Sequence, residues 1–371
     1  MYKAFGVINS SSRNIWVEGL QDYRPIGAFS FLGRYRVIDF AISNLSNSGI
    51  DRIQVYINSK PRSIVEHLGT GRHYNINSKS GKLQLLFSET DAGNDIYNTD
   101  IKAYYENLEY IKAMHHPYVV IAPSYMVYSA NYAALINQHV ESGADITMLY
   151  QTIDNAKEAF LNCTVVNLNR QKGVLSLEPN QGNAAKRNVS LATYIMKKDL
   201  FIELINKARE TSSMFTLKDT ISMMCSELDV RGVPHKGFVA VINDFNAYYR
   251  ANMDLIDIKK AESLFQADWP IYTRTNNSCP THYYASASIR NSVVSNGCII
   301  EGTVENSIIG RGCVIKKGAV VKDSIILAGA EIGEDILVEN QVVDKRAKLI
   351  HVKEVVSPAD KPGYIRREDT L

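Results

Sequence analysis

This chain has no excess of either charge, no cysteine pair at ligand spacing and no long apolar run, and each absence removes a class of function. Forty-one basic residues face 39 acidic ones, a formal net charge of +2 over 371 residues. No global field therefore recruits nucleic acid or an anionic membrane. The five cysteines (Cys163, Cys225, Cys279, Cys298 and Cys313) are odd in number, widely spaced and contain no Cys-x-x-Cys. They read as small apolar residues rather than a disulfide framework or a metal site. His67, His73, His115, His116 and His139 are scattered, with no third ligand at metal spacing, so no metal centre is predicted. No apolar stretch reaches the roughly 18–20 residues that span a bilayer. Met1-Tyr2-Lys3-Ala4 lacks the charged start and apolar core of a signal peptide. These absences predict a cytoplasmic protein, and the length suits two domains.

What is present divides the chain by texture. Ala4–Ile8, Arg52–Ile57, Tyr118–Ala122 and Ile146–Tyr150 are apolar runs of buried-strand length. Between them Tyr104–His115 and Tyr132–Ser142 carry helical spacing, and Gly143 follows the second as a stop. Strand–helix alternation predicts an α/β domain with a mostly parallel sheet over residues 1–250, with Asn167–Arg187 as a hairpin or surface loop. A helix over Ala247–Phe265 and a linker over Asp268–His282 bring a second unit, residues 283–371, after a connecting segment over 251–282. In that unit Ile308, Val314, Val320, Ile326, Ile332 and Val338 recur every sixth residue, with small residues Gly312, Gly318, Ser324 and Ala330 between them. A six-residue aliphatic repeat with small corners predicts a parallel β-helix.

Two phrases near the N-terminus carry a resemblance. The first strand is followed by Asn9-Ser10-Ser11-Ser12-Arg13, and then comes Gly33-Arg34-Tyr35-Arg36-Val37-Ile38-Asp39-Phe40 with Ser43-Asn44 and Asn47-Ser48-Gly49-Ile50. With Ala251-Asn252-Met253-Asp254-Leu255 and the β-helix strings Glu301–Ser307 and Val321–Ser324, this order resembles the ADP-glucose pyrophosphorylases (glucose-1-phosphate adenylyltransferases). The resemblance covers almost the whole chain. It implies a Rossmann-like, GT-A-like nucleotidyltransferase domain followed by a left-handed β-helix. It also implies a reaction in which glucose 1-phosphate oxygen attacks the α-phosphorus of ATP and releases pyrophosphate. Such chemistry needs backbone N–H groups on phosphate, fixed cations and Mg²⁺ held by carboxylates.

Against that pattern the chain departs at several places. The glycine-rich phosphate loop falls on Asn9-Ser10-Ser11-Ser12, and four consecutive non-glycine residues do not reproduce a cradle that relies on positive φ. The first metal aspartate falls on Tyr125, a neutral phenol, and the second on Val241, with Asp244 near enough for a loop shift to bring it in. The Glu-Lys-Pro motif becomes Leu177-Glu178-Pro179, the Ser-Met-Gly motif Ser190-Leu191-Ala192, and the Gly-Thr-Ala motif Thr99-Asp100-Ile101. Ile26 stands where the family has a lysine. Ser12, Tyr125 and Val241 thus mark degenerate catalytic positions, and neither Mg²⁺ nor ATP is expected as a cofactor. Arg24, Arg34 and Arg36 survive in the neighbourhood where the family binds phosphorylated metabolites or sulfate. Arginine's planar fork suits such anions. The alternative is that Arg34 and Arg36 pair with Asp39 or Asp22 and hold the fold. Lys60, Arg62 and Arg72 add basic groups near that edge.

The expectation is therefore a regulatory, D-type subunit: a pseudoenzyme of glycogen biosynthesis in a heterotetramer with a catalytic partner. The rivals are an active nucleotidyltransferase with a rearranged site using Asp244 and Arg13, a sugar-phosphate sensor without a partner, and a hexapeptide-repeat acyltransferase. The last needs a histidine between coils, and residues 283–350 contain none.

Overall fold

The computed structural model describes residues 2–9, 15–77, 79, 81–89 and 94–371. Ala4–Asn9 is buried along its whole length and sits inside a mixed sheet of nine strands. Lys82–Phe87, Arg52–Ile57, Ala4–Asn9 and Tyr118–Pro123 lie side by side in parallel. Arg187–Lys197 then runs antiparallel to Tyr118–Pro123 along one edge, where it also pairs at Val189 with Thr164–Leu168, and to Ile146–Ile153 along the other. Val174–Pro179 completes a hairpin with Thr164–Leu168, and Val230–Pro234 pairs in parallel with Ile146–Ile153. Alternation along the first strand serves two cores. Phe5 and Val7 face Tyr104 and Phe201, whereas Ala4 and Ile8 face the side that holds Phe40 and Leu45. A Cβ at Gly6 would stand 2.7 Å from a Leu45 methyl, so this glycine lets the Val37–Asn47 helix lie close on the sheet.

Two predicted helices are each divided. Tyr104–His115 is replaced by Asp100–Glu106 and Leu108–Lys112, separated at Asn107. The Asn107 amide donates to the Ala103 and Phe87 carbonyls, both at 3.0 Å, a local competition for backbone groups that favours a break. Ala247–Phe265 becomes Phe245–Asp254 and Ile258–Leu264, the second started by the Asp257 carboxylate accepting from the Lys259 N–H at 2.8 Å. Tyr132–Ser142 forms as expected and ends at Gly143 with φ 67°.

From His282 the chain winds into three parallel five-stranded sheets, the faces of a left-handed β-helix. The inward columns are Tyr283/Ile300/Ile315/Ile332/Leu349, Ile289/Val304/Val321/Val338/Val355 and Val294/Ile309/Ile326/Val343/Ile365. This corrects the phase of the predicted repeat. Ile326, Ile332 and Val338 point inward, but Ile308 points out, and Val314 and Val320 flank the inward Ile315 and Val321. Successive coils repeat after 17 residues in the middle of the helix, and between the first two coils after 17 on one face and 15 on the other two. A fixed period of six therefore drifts from the outer to the inner surface. The drift has a use: outward Ile308, Ile325 and Val342 enter the core of the sheet domain, joining the two units through one face.

Candidate functional site

The first strand ends at Asn9, whose carbonyl accepts from the Ser124 N–H at 3.1 Å. Residues 10–14 follow, so the expectations for Ser12 and Arg13 lie outside the described residues. At the neighbouring strand end the chain turns through Ser124-Tyr125 into Met126–Val127, which pairs antiparallel with Ala240–Val241. Val241 stands opposite Met126, and the Ile242 N–H donates to the Tyr125 carbonyl at 3.0 Å. The fold thus brings together the two positions, 116 residues apart in numbering, at which the sequence departs from paired aspartates.

Neither side chain suits Mg²⁺. Tyr125 and Val241 are 8% and 4% exposed. Burial, with Tyr194 next in weight, holds the Tyr125 phenol well above its ordinary range, so it offers no anionic oxygen to a hard cation. Asp244 is occupied as a helix cap, its carboxylate accepting from the Ala247 N–H at 2.7 Å at the start of Phe245–Asp254. It lines a pocket of about 380 Å³ beside Val241, together with Glu158, Asn243, Arg250 and Asp254. Among the described residues no three His, Cys, Asp or Glu side chains gather into a metal site.

The floor of the same strand end is polar and incompletely paired. Asn9 Oδ1 and the Tyr104 hydroxyl are buried and have no hydrogen-bond partner among the described residues. Asp100, the first residue of a helix capped by Thr99, accepts from the N–H groups of Ile101 and Leu217 at 2.9 and 3.1 Å, and burial pushes its carboxyl up to about 6. On the sugar side Glu178 meets Arg187 at 3.6 Å. Ala192 keeps φ 46° beside a register shift in its strand. That left-handed backbone favours glycine, which agrees with its place opposite the family's Ser-Met-Gly motif.

The three arginines separate into two sites at the junction with the β-helix. Arg24, 2% exposed, forms a buried ion pair with Asp344, which also accepts from the Tyr364 hydroxyl at 2.8 Å. Arg36 donates to the Ala28 carbonyl at 2.6 Å, and burial lowers its pKa. Lys345 is pushed down to about 6, by burial first and then by Arg36 and Arg24. Three basic side chains, of which Lys345 is largely neutral at pH 7, thus gather near the ion-paired Asp344 carboxylate. Among the described residues the Arg36 guanidinium forms no ion pair with Asp39, although Asp39 is the largest charge opposing the effect of burial on its pKa. Asp39 accepts from the Arg36 backbone N–H at 2.8 Å and meets His67 Nε2 and the Tyr74 hydroxyl at 2.6 and 2.5 Å. These partners hold its carboxyl below the usual range against burial.

Arg34 lies apart, with Arg311 on the wall of a pocket of about 480 Å³ that Tyr35, Phe265, Asn276 and Asn296 also line. Arg311 Nε is buried with no partner among the described residues, while its Nη1 donates to the Arg274 carbonyl at 3.2 Å. Arg62 pairs with Glu66 at 2.8 Å on the surface, Lys60 packs over the exposed Trp16 ring at 5.6 Å, and Arg72 is exposed. Sequence reading missed Lys345 and Arg311. Both sit in hexapeptide repeats, where nothing local marks a coil corner as facing an arginine roughly 300 residues earlier.

Comparison with known proteins bears on these positions. A nucleotidyl transferase family model matches residues 22–258, and a GlmU-like C-terminal hexapeptide model matches 280–360. The glucose-1-phosphate adenylyltransferase of Fervidobacterium nodosum is 27% identical over 346 residues, covering 92% of this chain and 83% of that protein. Those of Bacillus thuringiensis (strain Al Hakam) and Bacillus anthracis are each 26% identical over 323 residues, 85% of both chains.

Proposed function

The chain belongs to the nucleotidyl transferase family, and from that premise we propose that it governs glucose-1-phosphate adenylyltransferase activity in glycogen synthesis rather than performing the transfer. The observation that carries this reading is the pairing of Tyr125 with the Val241–Ile242 segment. Where the resemblance expects two carboxylates on one metal, there is a neutral phenol and an isopropyl group. The reaction builds charge on a pentavalent phosphorus, and without a held cation that charge has no counterpart.

What remains serves regulation. Arg24, Arg36 and Lys345 sit where the sheet domain meets the β-helix, so an anion bound there touches both units at once. A phosphorylated metabolite, or sulfate in its place, fits the excess positive charge. Arg34 and Arg311 offer a second anion contact. The partner is a catalytic glucose-1-phosphate adenylyltransferase subunit in a heterotetramer, and this chain activates it by binding the partner's active conformation more tightly than its inactive one.

The test mixes the purified chain with a catalytic subunit and follows co-elution and ADP-glucose synthesis. Stable co-elution with a changed rate or effector response is expected, and no synthesis by the chain alone. Absence of both co-elution and rate change overturns the reading. The pocket beside Val241, with Glu158, Asp244 and Asp254, favours one rival, an active enzyme with a rearranged site; Mg²⁺-dependent ATP binding by the isolated chain supports that rival instead.

A further inference from the structure

Three of the chain's five cysteines lie at one corner of the β-helix. Cys298 and Cys313 directly precede the register partners Ile299 and Val314, so they stand opposite each other at the starts of the second and third coils. The Ile299 N–H donates to the Cys313 carbonyl at 3.0 Å. Both side chains are fully buried in the interior cluster, in a corner column that continues through Ala330 and Ala347. The Cys298 thiol donates to the Gly310 carbonyl at 3.1 Å, and the Cys313 thiol to the Leu327 carbonyl at 3.2 Å. Neighbouring strands lie about 4.8 Å apart, inside the roughly 4.4–6.8 Å that a disulfide requires between its Cα atoms.

The third, Cys279, is exposed. It belongs to a strap, residues 276–281, that has no regular secondary structure and lies across the start of the second coil. Thr281 Oγ1 accepts from the Cys298 N–H at 3.2 Å and donates to the Ser295 carbonyl at 2.6 Å. Ser278 accepts from the Asn296 amide, and a Cβ on Gly297 would stand 3.0 Å from the Ser278 Cβ. Cys279 is thus pinned between two residues that touch the segment 295–298. The same coil starts shape a wall already described. Ser295, Asn296 and Arg311 line the pocket of about 480 Å³ that Arg34 shares, and Cys298 and Cys313 stand two positions beyond Asn296 and Arg311.

We propose that these cysteines form a thiol–disulfide relay, in which a small-molecule disulfide oxidises the Cys298–Cys313 pair by way of Cys279. The Cys279 sulfur attacks the small disulfide, forming a mixed disulfide and releasing one small thiol. The Cys298 sulfur attacks Cys279, forming the Cys279–Cys298 bond and releasing the second small thiol. The Cys313 sulfur then attacks Cys298, and Cys279 leaves as a thiol. Each attacking thiol loses a proton and each departing sulfur gains one. Two protein thiols and one small disulfide thereby become one protein disulfide and two small thiols. The exposed cysteine answers the problem of access: the oxidant reaches Cys279, and only the strap has to lift for Cys298 to take the bond over. The product closes a ring around the second coil, residues 298–313, and fixes the spacing of the coils that bear Asn296 and Arg311. Neither the relay nor its test depends on the regulatory reading.

Glutathione disulfide is the probe, applied to the purified full-length chain, with alkylation of the remaining thiols and mass mapping of the peptides. The expected product is a Cys298–Cys313 disulfide, with Cys163, Cys225 and Cys279 still alkylated. Cys279→Ser should slow its formation at least about tenfold. Cys313→Ala, which extends the alanine column, should halt the relay at a Cys279–Cys298 bond. In the unmodified chain oxidation should slow amide exchange over residues 299–312 on the order of a hundredfold, the loop-closure effect of a ring of this size, and dithiothreitol should reverse it. That comparison uses no variant, so it decides the case in which one misfolds. A Cys298–Cys313 pair that stays reduced in the folded chain, a rate unchanged by Cys279→Ser, or unaltered exchange after oxidation would overturn the proposal. So would the absence of a Cys279–Cys298 bond in Cys313→Ala, or a disulfide that forms only in denaturant.

Discussion

The strand ends at Tyr125 and the domain junction at Arg24 both derive from the same family frame, but their electrostatics have moved in opposite directions. At the strand ends the anionic oxygens expected around a cation are replaced by a buried phenol and a valine, and the buried carboxyl of Asp100 is held toward its neutral form by burial. At the junction basic side chains persist against the cost of burial: Arg24 is almost wholly buried and paired with Asp344, Arg36 is offset by Asp39, and Lys345 is driven toward neutrality. Desolvation acts on both places. It leaves the strand ends little affinity for a metal, and under the proposed regulatory reading an anion at the junction would relieve the repulsion among these side chains.

The largest effect should come from removing the one carboxylate of the junction. Asp344→Ala leaves Arg24 charged and buried without its partner, and should cost about 3–5 kcal/mol in chemical denaturation. Tyr125→Phe at the other region should cost far less, since no hydrogen bond of its hydroxyl forms among the described residues.

Anion binding comes next. Between about pH 6 and its ordinary value of 10.5, unfolded Lys345 carries a proton that the folded chain lacks. Stability from this group therefore rises with pH across that window. A bound sulfate raises the Lys345 pKa, so binding takes up a proton. Calorimetry should find sulfate about tenfold weaker at pH 8 than at pH 6, with the difference abolished in Lys345→Met. Arg36→Ala should weaken sulfate roughly tenfold at either pH. Equal sulfate affinity in the parent chain and Arg36→Ala would erase the contrast between the two regions.

A smaller effect belongs to Asp100. Its folded pKa near 6 lies above the ordinary 3.8, so the folded chain holds an extra proton between those values. Stability from this group is full below about pH 3.8 and declines as pH rises through 6. Asp100→Asn keeps an oxygen for the Ile101 and Leu217 N–H groups. It should raise the melting temperature at pH 7.5 but not at pH 4. The smallest effect is expected at Ala192. Glycine there relieves about 1 kcal/mol of left-handed strain and adds a similar entropy cost in the unfolded chain. Ala192→Gly should therefore be near neutral by denaturation, whereas Ala122→Gly, inside a buried strand, should cost about 1 kcal/mol or more.

Much of the fold was legible because its signals are local. Ala4–Ile8 and Tyr118–Ala122 announce buried strands by continuous apolar character, and Tyr132–Ser142 announces a helix by its spacing and Gly143. The splits at Asn107 and Leu255–Asp257 were not legible, because a side chain competing for backbone groups outweighed a periodicity that continues through the break. The β-helix was legible as a repeat but not in its phase, since coils of 17 residues slide a six-residue pattern from one surface to the other. Of the candidate site, Tyr125, Val241 and the three arginines were identifiable by position along the chain. Their grouping was not.

The sequence by itself determined which residue types are missing: no aspartate at Tyr125 or Val241, no lysine at Ile26, no glycine at Ala192. A side chain's chemistry does not depend on where it is placed, so those losses hold in any conformation. Tertiary structure alone decided what the remaining groups do. Arg24 meets Asp344 and Lys345 across some 320 residues of chain, Arg34 joins Arg311 instead, and Asp39 turns to His67 and Tyr74. Burial and the meeting of distant charges set their energies, and both exist only once the two units pack on each other.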